Sequence, residues 1–300
     1  MNEPAAGPGV SVPKEGAHLV LLGTVAGPVL HPRRMMSSQA VVVDGAVYLF
    51  DCGYGALTRF AASGLRLADV RAIFITHHHS DHNADYVNLI HLAWIQGLTR
   101  KLPVFGPPPM QRIHTAALAF HGEDFDIRIR ATGRTPPAEC FAVQEISAPG
   151  VVFEDENVRV SSALVDHPPF AHAFGFRVDA RARAQDRSIV LSGDTAPCEA
   201  MVELAKGADL LLHEAMYEPG IDAMLASRPY VPPGLRSFLV NGHTSAEDCG
   251  RIAQRAGVKT LALTHLLPSD DGLVSDEVWA REAAKHFGGA IIVGQDLMVL

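Results

Sequence analysis

A short internal segment, residues 76–83 with the sequence THHHSDHN, holds the side chains with the clearest capacity for chemistry. Four of them are metal-ligand types, and these are His77, His79, Asp81 and His82. Neutral imidazole and carboxylate groups bind Zn²⁺, Mn²⁺ or Fe²⁺. Because a loop can turn alternate side chains in one direction, His77 and His79 can share one metal ion. Asp81 and His82 follow a tight turn and can reach a second ion, so the segment predicts a metal site.

Three further candidate ligands each follow an apolar run of the kind that forms a buried strand, and these are His167, Asp194 and His265. Any one of them alone would be an ordinary residue at a strand end. Together with the internal histidine loop, which is too mixed in composition for a purification tag, they predict a two-metal site, most simply dizinc. The side chain of His78 should point away from those of its neighbours, so we expect it to support the loop.

Hydrophobic patterning predicts the elements that position these residues. The dipeptide Asp44-Gly45 between two β-rich runs is typical of a hairpin turn with positive φ at both positions. Ser245 followed three residues later by Asp248 is typical of a helix N-terminal cap. Strands interspersed with helices indicate an α/β layered architecture. The predicted strands are 18–25, 40–43, 46–50, 70–76, 158–165, 175–178, 188–193, 209–213, 260–264 and 290–293, and the predicted helices are 83–96, 110–120, 198–206, 246–256 and 276–286.

The 300 residues, 48% of them hydrophobic, are sufficient for a large core. Residues 1–16 are rich in Pro, Gly and Ala, so we expect a flexible tail followed by a single domain over 17–300. Residues 218–241 contain four prolines and are expected to form a long irregular insertion, a common form of active-site lid.

Composition limits the partners and the compartment. No apolar run approaches about 18 residues, which argues against a membrane span. The four cysteines form no C-x-x-C pair, which favours free thiols and a cytoplasmic location, although an export signal that has been removed stays open. The net charge of −8 makes a nucleic acid an unexpected partner, because phosphate binders usually present a basic face. We expect a small-molecule substrate and leave a homodimer open.

The combined motifs resemble those of the metallo-β-lactamase superfamily, most of all its ribonuclease Z and arylsulfatase-like branch. Besides the histidine loop, the resemblance rests on the lone His167 and on the segments DCG at 51–53, SGDT at 192–195, LHEA at 212–215, GHTS at 242–245 and TH at 264–265. It extends over roughly residues 18–295, nearly the whole chain. It implies an αββα four-layer sandwich with two metal ions at one edge.

The resemblance also implies a role for each candidate ligand. One metal would be held by His77, His79 and His167, the other by Asp81, His82 and His265, with Asp194 bridging the two. A hydroxide shared by the ions would then be the nucleophile of a hydrolase. Asp51 would orient the metal loop through hydrogen bonds.

In that branch, residues at the positions of Glu214 and His243 form a relay, in which Glu214 would orient His243 and His243 would protonate the leaving oxygen. With Asp81, they make up the expected catalytic set. The alternative is that both residues only support the metal loop. The pocket candidates are Tyr86, Phe170, His172 and Phe174, although His172 could equally be a surface residue, and Trp94 is assigned to the core.

One departure from the branch decides the expected substrate. Its tRNA-processing members have a long Gly/Pro-rich arm between the lone His and the Ser-Gly-Asp motif, whereas here only the 26 residues 168–193 lie between them. The leading interpretation is therefore hydrolysis of a small ester: a phosphodiester, an aryl sulfate, a carboxylic ester or a lactone. The alternative is a tRNA 3′-processing endoribonuclease. A third interpretation is a non-hydrolytic di-iron redox protein or scaffold on the same fold.

Overall fold

The computed structural model describes residues 11–98, 100–269 and 272–300. The strands are β1 Ala17–Gly23, β2 Ser38–Val43, β3 Ala46–Phe50, β4 Val70–Phe74, β5 Leu102–Gly106, β6 Phe141–Glu145, β7 Gly150–Glu154, β8 Val158–Leu164, β9 Phe174–Ala180, β10 Arg187–Leu191, β11 Leu210–Met216, β12 Thr260–Leu267 and β13 Ala290–Val293. The helices are α1 Ala56–Ala62, α2 Ser80–Asn83, α3 Tyr86–Ile95, α4 Met110–Phe120, α5 Gly122–Thr132, α6 Pro137–Cys140, α7 Glu199–Ala205, α8 Glu218–Ala226, α9 Leu235–Gly242, α10 Ala246–Ala256 and α11 Asp276–Ala284.

The strands form two sheets, with the orders β1-β2-β3-β4-β5-β6 and β13-β12-β11-β10-β9-β8-β7. In the first sheet, β3 to β6 are parallel neighbours. In the second, β10 to β13 are parallel neighbours. The carboxyl ends of parallel strands lie at one edge of a sheet, so residues that follow β4, β10 and β12 can meet where the two sheets pack.

The two sheets pack face to face around an aromatic centre. The ring of Phe74 lies 4.7 Å from that of Phe50 on the same sheet and 5.6 Å from that of Phe176 on the other. The outer face of the first sheet packs against α1, α3 and α4. The outer face of the second packs against α7, α10 and α11. The resulting order of layers is αββα, so the predicted fold is confirmed.

Two local predictions from the sequence are confirmed. Asp44 and Gly45 have φ values of 48° and 87°, as the turn between β2 and β3 requires. The side chain of Ser245 accepts a hydrogen bond from the backbone N–H of Asp248 at 3.0 Å and caps α10. The helix predicted over 83–96 is divided into the short α2 and the longer α3.

Other elements were not predicted. Strands β5, β6 and β7 were missed, and β6 and β7 are largely exposed, so they carry little hydrophobic pattern. The expectation that residues 218–241 are irregular is wrong, because they form most of the helices α8 and α9. Pro219 lies in the first turn of α8, where its missing N–H costs no helical hydrogen bond. The other three prolines fall in the connection between the helices.

Most of the expected N-terminal tail, residues 1–10, lies outside the described residues. Its last residue, Gly16, donates a backbone hydrogen bond to Oδ1 of Asp44 at 2.9 Å, so this end is held against the β2–β3 turn. Within the described ranges, no helix is long and apolar enough to cross a membrane.

Candidate metal centre

The predicted ligands meet at the edge of the sandwich where strands of both sheets end. The segment that contains His77 to His82 follows β4, and Asp194 follows β10. His167 follows β8, and His265 lies within β12 near its carboxyl end. All of these side chains are buried except that of His79, which is half-buried.

The first group of candidate ligands contains three imidazoles whose ring nitrogens converge. Nδ1 of His79 lies 3.1 Å from Nε2 of His77 and 3.1 Å from Nε2 of His167. Oδ2 of Asp194 lies 3.8 Å and 3.9 Å from the same two Nε2 atoms. Tetrahedral zinc with bonds of about 2.0–2.1 Å places its ligand nitrogens roughly 3.3–3.4 Å apart. The spacing of this group therefore fits one metal ion.

The second group combines two imidazoles with two carboxylates. Nε2 of His265 lies 3.2 Å from Oδ2 of Asp81 and 3.3 Å from Oδ2 of Asp194. Nε2 of His82 lies 3.2 Å from Oδ1 of Asp194. Asp194 is thus the residue that faces both groups, as a bridging ligand must.

Hydrogen bonds on the far side of the rings orient three of these histidines. Nδ1 of His167 donates to the backbone carbonyl of Gly242 at 2.7 Å, which leaves its Nε2 lone pair available. Nδ1 of His82 lies 2.7 Å from Oδ2 of Asp51, and Nδ1 of His77 lies 3.0 Å from the hydroxyl of Thr76. Such contacts fix both the tautomer and the direction of a metal-binding imidazole.

Asp51 organises the start of the metal loop. Its two carboxylate oxygens accept hydrogen bonds from the backbone N–H and the hydroxyl of Thr76, each at 2.8 Å. Asp51 and His265 have φ values of 55° and 45°, a left-handed backbone conformation that residues other than glycine seldom adopt. His265 is the extra residue of a bulge where β12 shifts register against β11, which turns its ring toward the ligands.

The backbone at Gly27 lies against Asp81, a member of the second group of candidate ligands, and holds its carboxylate in place. The N–H of Gly27 donates to Oδ2 of Asp81 at 2.9 Å. A Cβ atom at position 27 would lie 2.3 Å from the Cβ of Asp81, so only glycine fits there.

The electrostatics of the cluster suit bound cations. Burial lowers the pKa of His77 well below its usual range, and burial together with the neighbouring His167 lowers that of His79 to about 4. Both imidazoles are therefore neutral, as ligation requires. Burial opposes a charge on Asp194, but positive charge on the rings of His265 and His82 holds its pKa well below the usual range, and bound cations would supply that positive charge in their place.

Two buried polar atoms of the ligand cluster also favour bound metal ions. Nε2 of His82 and Oδ1 of Asp194 lie 3.2 Å apart without the alignment of a hydrogen bond, and within the described part of the chain neither buried atom has another partner. A buried polar group without a partner is costly, and a metal bond would satisfy both atoms. The donor set, the spacing and these atoms all fit two divalent ions.

His243 lies beside both ligand groups, with its ring 5.2 Å from that of His167 and 5.4 Å from that of His265, and Glu214 lies against His243. Nδ1 of His243 is 3.3 Å from Oε2 of Glu214 and 4.0 Å from Oδ2 of Asp194. Oε1 of Glu214 accepts a hydrogen bond from the backbone N–H of Thr244 at 2.8 Å, which holds the carboxylate. Burial opposes a charged imidazole, but Glu214 and Asp194 outweigh it and raise the pKa of His243 to about 9. The Glu214 carboxylate therefore favours the protonated form of the His243 imidazole beside the centre.

Other predicted site residues lie further away. His78 points out of the cluster, with its Nε2 2.7 Å from the carbonyl of Pro107. Tyr86 and Phe174 are fully buried in hydrophobic cores, and the hydroxyl of Tyr86 contacts His114, so neither presents a surface to a substrate. Phe170 does lie at the centre, with its ring 4.6 Å from that of His79. His172 is half-buried.

Sequence reasoning missed two residues of the site. The hydroxyl of Thr76 connects Asp51 with His77, and its place directly before the histidine loop was the available signal. Phe238 of α9 lies with its ring 5.9 Å from that of His79. It was overlooked because the segment around it was expected to be irregular.

Comparison with known proteins gives concordant results. Residues 47–266 match the family described as beta-lactamase superfamily domain. The protein named Ribonuclease Z from Mycobacterium bovis (strain BCG / Pasteur 1173P2) is 34% identical over 284 residues, which are 93% of this chain and 96% of that protein. Ribonuclease Z from Mycobacterium sp. (strain KMS) is 37% identical over 285 residues, which are 93% of this chain and 94% of that protein.

Solved structures support the same fold. The metallo-beta-lactamase fold protein YhfI from Bacillus subtilis has a TM-score of 0.67 at 20% identity, covering 95% of this chain and 98% of that one. Human tRNase Z, short form, has a TM-score of 0.66 at 22% identity, covering 94% of this chain and 98% of that one.

The family match spans well over half of the chain, and the curated relatives align over nearly all of it. The predicted class, a metal-dependent hydrolase of ester bonds, is confirmed by this membership. The chain belongs to the metallo-β-lactamase superfamily and, within it, to the ribonuclease Z-like branch.

Proposed function

We propose that this protein is a ribonuclease Z-like endoribonuclease that cleaves a phosphodiester bond at the 3′ side of tRNA precursors. The observation that carries the proposal is the pair of ligand groups joined by Asp194, next to the Glu214–His243 pair, in a chain 34% identical to a protein named Ribonuclease Z. The small-ester interpretation that the sequence favoured thus becomes the second choice.

The expectation that a nucleic acid is an improbable partner is wrong, because relatives over 93% of the chain are ribonucleases by name. Net charge sums the whole surface, whereas phosphate binding depends on the local field. A cavity of about 450 Å³ opens beside Leu266 and Pro268, just after His265 in the chain. Its charged lining residues are Arg33, Arg34, Arg59, Asp276 and Asp296. Charged groups of both signs therefore line this cavity, and the overall charge of −8 does not describe the local field.

The missing arm is also weaker evidence than it seemed. Strands β9 and β10 pair directly and are joined by residues 181–186, so there is no extended arm at this position. The aligned 284 residues cover 96% of the Mycobacterium bovis relative, which leaves that protein no room for a long additional arm either. The absence of an arm therefore does not separate this chain from its named relatives.

The residues of the centre suit phosphodiester hydrolysis. Two zinc ions are the proposed occupants, held by His77, His79 and His167 on one side and by Asp81, His82 and His265 on the other, with Asp194 between them. When bound, such ions supply a nucleophile from water at neutral pH and neutralise charge on a phosphoryl oxygen. His243, held by Glu214, donates a proton to the departing oxygen.

One comparison tests the proposal. A single zinc-loaded preparation is assayed on a tRNA precursor and on bis-nitrophenyl phosphate, aryl sulfate, aryl acetate and lactone substrates. We expect cleavage of the precursor at one position, with kcat/KM above roughly 10⁴ M⁻¹ s⁻¹. An uncut precursor together with rapid turnover of a small ester would restore the small-ester interpretation.

A further inference from the structure

An aromatic side chain of the α8–α9 segment stands beside a candidate metal ligand. The ring centre of Phe238 is 5.9 Å from that of His79, in an edge-to-face arrangement. Although it lies next to a buried cluster of ligands, Phe238 is 44% exposed. Its neighbours Leu239 and Val240 pack instead against a small core that includes Ile221 and Met224 of α8. The helix therefore turns its apolar face inward and leaves Phe238 at the opening of the site.

A second aromatic ring lies on the same side of the opening. The ring of Phe170 is 4.6 Å from that of His79 and 5.3 Å from that of His77. It also stacks on the ring of His167, with 5.9 Å between centres and 13° between planes. The first ligand group is thus flanked by two phenylalanines, Phe170 and Phe238, which we call the aromatic rim.

Contacts on both sides hold the aromatic rim in place. At the end of α9, the carbonyl of Gly242 accepts the hydrogen bond from Nδ1 of His167 at 2.7 Å. In the first turn of α9, the guanidinium of Arg236 donates to Glu218 at 2.6 Å and to Asp222 at 2.7 Å, both on α8. The position of Phe238 is therefore fixed relative to the ligands without its ring being buried.

We propose that the aromatic rim stacks against the nucleobase of a nucleotide that adjoins the cleaved phosphodiester, so that Phe238 is a substrate-positioning residue. This inference rests on the proposed ribonuclease function. Every base presents a flat π-face, and aromatic side chains bind unstacked bases of single-stranded RNA in this way. An exposed phenylalanine beside the ligands can serve that purpose, and because its side chain has no charge and no hydrogen-bonding group it offers no contact for a phosphate.

The test uses three RNA substrates with the same cleavage site: one intact, and two with an abasic nucleotide on one or the other side of the cleaved bond. For the wild-type enzyme, we expect one abasic RNA to lose roughly 5- to 100-fold in kcat/KM, the size of one stacking contact. In Phe238→Ala, that penalty should disappear, because the intact RNA loses the same contact. Phe238→Trp should keep the penalty.

Two controls separate stacking from a general defect. Phe120→Ala removes a phenylalanine on α4 that is 75% exposed, against 44% for Phe238, and should leave the base dependence unchanged. Methyl p-nitrophenyl phosphate has no nucleobase, so Phe238→Ala should lose less kcat/KM on it than on the intact RNA. A short RNA containing 2-aminopurine should lose its fluorescence on binding the wild-type protein and keep more of it with Phe238→Ala.

The outcomes also distinguish the two proposals. If wild-type protein with its metals cleaves no RNA, the ribonuclease function fails and the aromatic rim fails with it. If RNA is cleaved and the abasic penalty is the same in the wild-type protein and in Phe238→Ala, or absent from both, only the aromatic rim fails.

Discussion

The ligand cluster and the helices α8 and α9 lie in contact but are built in opposite ways. The ligands follow or end buried strands, and His167, His82 and His77 are held by hydrogen bonds behind their rings. The two helices expose most of their surface, and the ion pairs that join them are about half exposed. The difference indicates that the sheets fix the chemistry, while the exposed part of the helical segment shapes the opening; Gly242 at the end of α9 belongs to the fixed part, because its carbonyl holds His167.

The largest effect is expected at the residue shared by the two ligand groups. Asp194→Ala removes the carboxylate that lies 3.2 Å from Nε2 of His82 and 3.3 Å from Nε2 of His265. Metal affinity should fall at both positions by more than the roughly 100-fold that loss of a supporting contact causes. Elemental analysis should drop from about two metals per chain to below one.

His265→Ala is the matched comparison, because His265 belongs to one group only. It should empty one position and leave about one metal per chain bound. If both variants lose the same amount of metal, the assignment of Asp194 as the bridging residue is refuted.

The next effect concerns proton donation rather than metal binding. His243→Ala should keep the metals yet slow turnover by roughly 10²–10⁴-fold, the usual contribution of a general acid. The loss should be smallest with nitrophenolate, which departs without needing a proton. Because His243 also lies 4.0 Å from Asp194, a loss of metal in this variant would instead make it a ligand.

The sequence predicted which residues lie at the strand ends, but it predicted the helical segment poorly. His167, Asp194 and His265 could be predicted because each follows an apolar run that is recognisable as a buried strand. Strands that run in the same direction bring the residues at their carboxyl ends to one edge of the sheet. The bulge that aims His265 left no signal, since it arises from pairing between β11 and β12. Helices α8 and α9 were missed because the four prolines in 218–241 predict irregular structure, whereas tertiary packing stabilises two helices there. The partner was misjudged because composition reports total charge and not its placement.

A smaller effect is expected at Asp51, which supports the ligands without facing the metals. Asp51→Ala would leave the backbone N–H of Thr76 and Nδ1 of His82 without their acceptor. Affinity should fall roughly 10–100-fold, the usual cost of losing such a contact, and chiefly at the position that His82 serves. Isothermal titration calorimetry with the metal ion measures the affinity at each position. Equal weakening of both positions would mean that Asp51 holds the whole loop rather than one ring.

The smallest effect is expected in the helical segment, at Arg236. Arg236→Ala removes the bonds to Glu218 and Asp222 that join α9 to α8, but all three side chains are about half exposed, where ion pairs contribute little to stability. The thermal unfolding midpoint should therefore change by no more than about 2 °C, and the metal content should stay at the wild-type value.

What should change in Arg236→Ala is the position of Phe238, since the first turn of α9 is then held less firmly. We expect kcat/KM on RNA to fall while that on methyl p-nitrophenyl phosphate is retained, and proteolysis in the connection over 227–234 to become faster. Parallel losses on both substrates would show that the helices support the centre itself, and the contrast between a fixed centre and an adjustable opening would then be wrong.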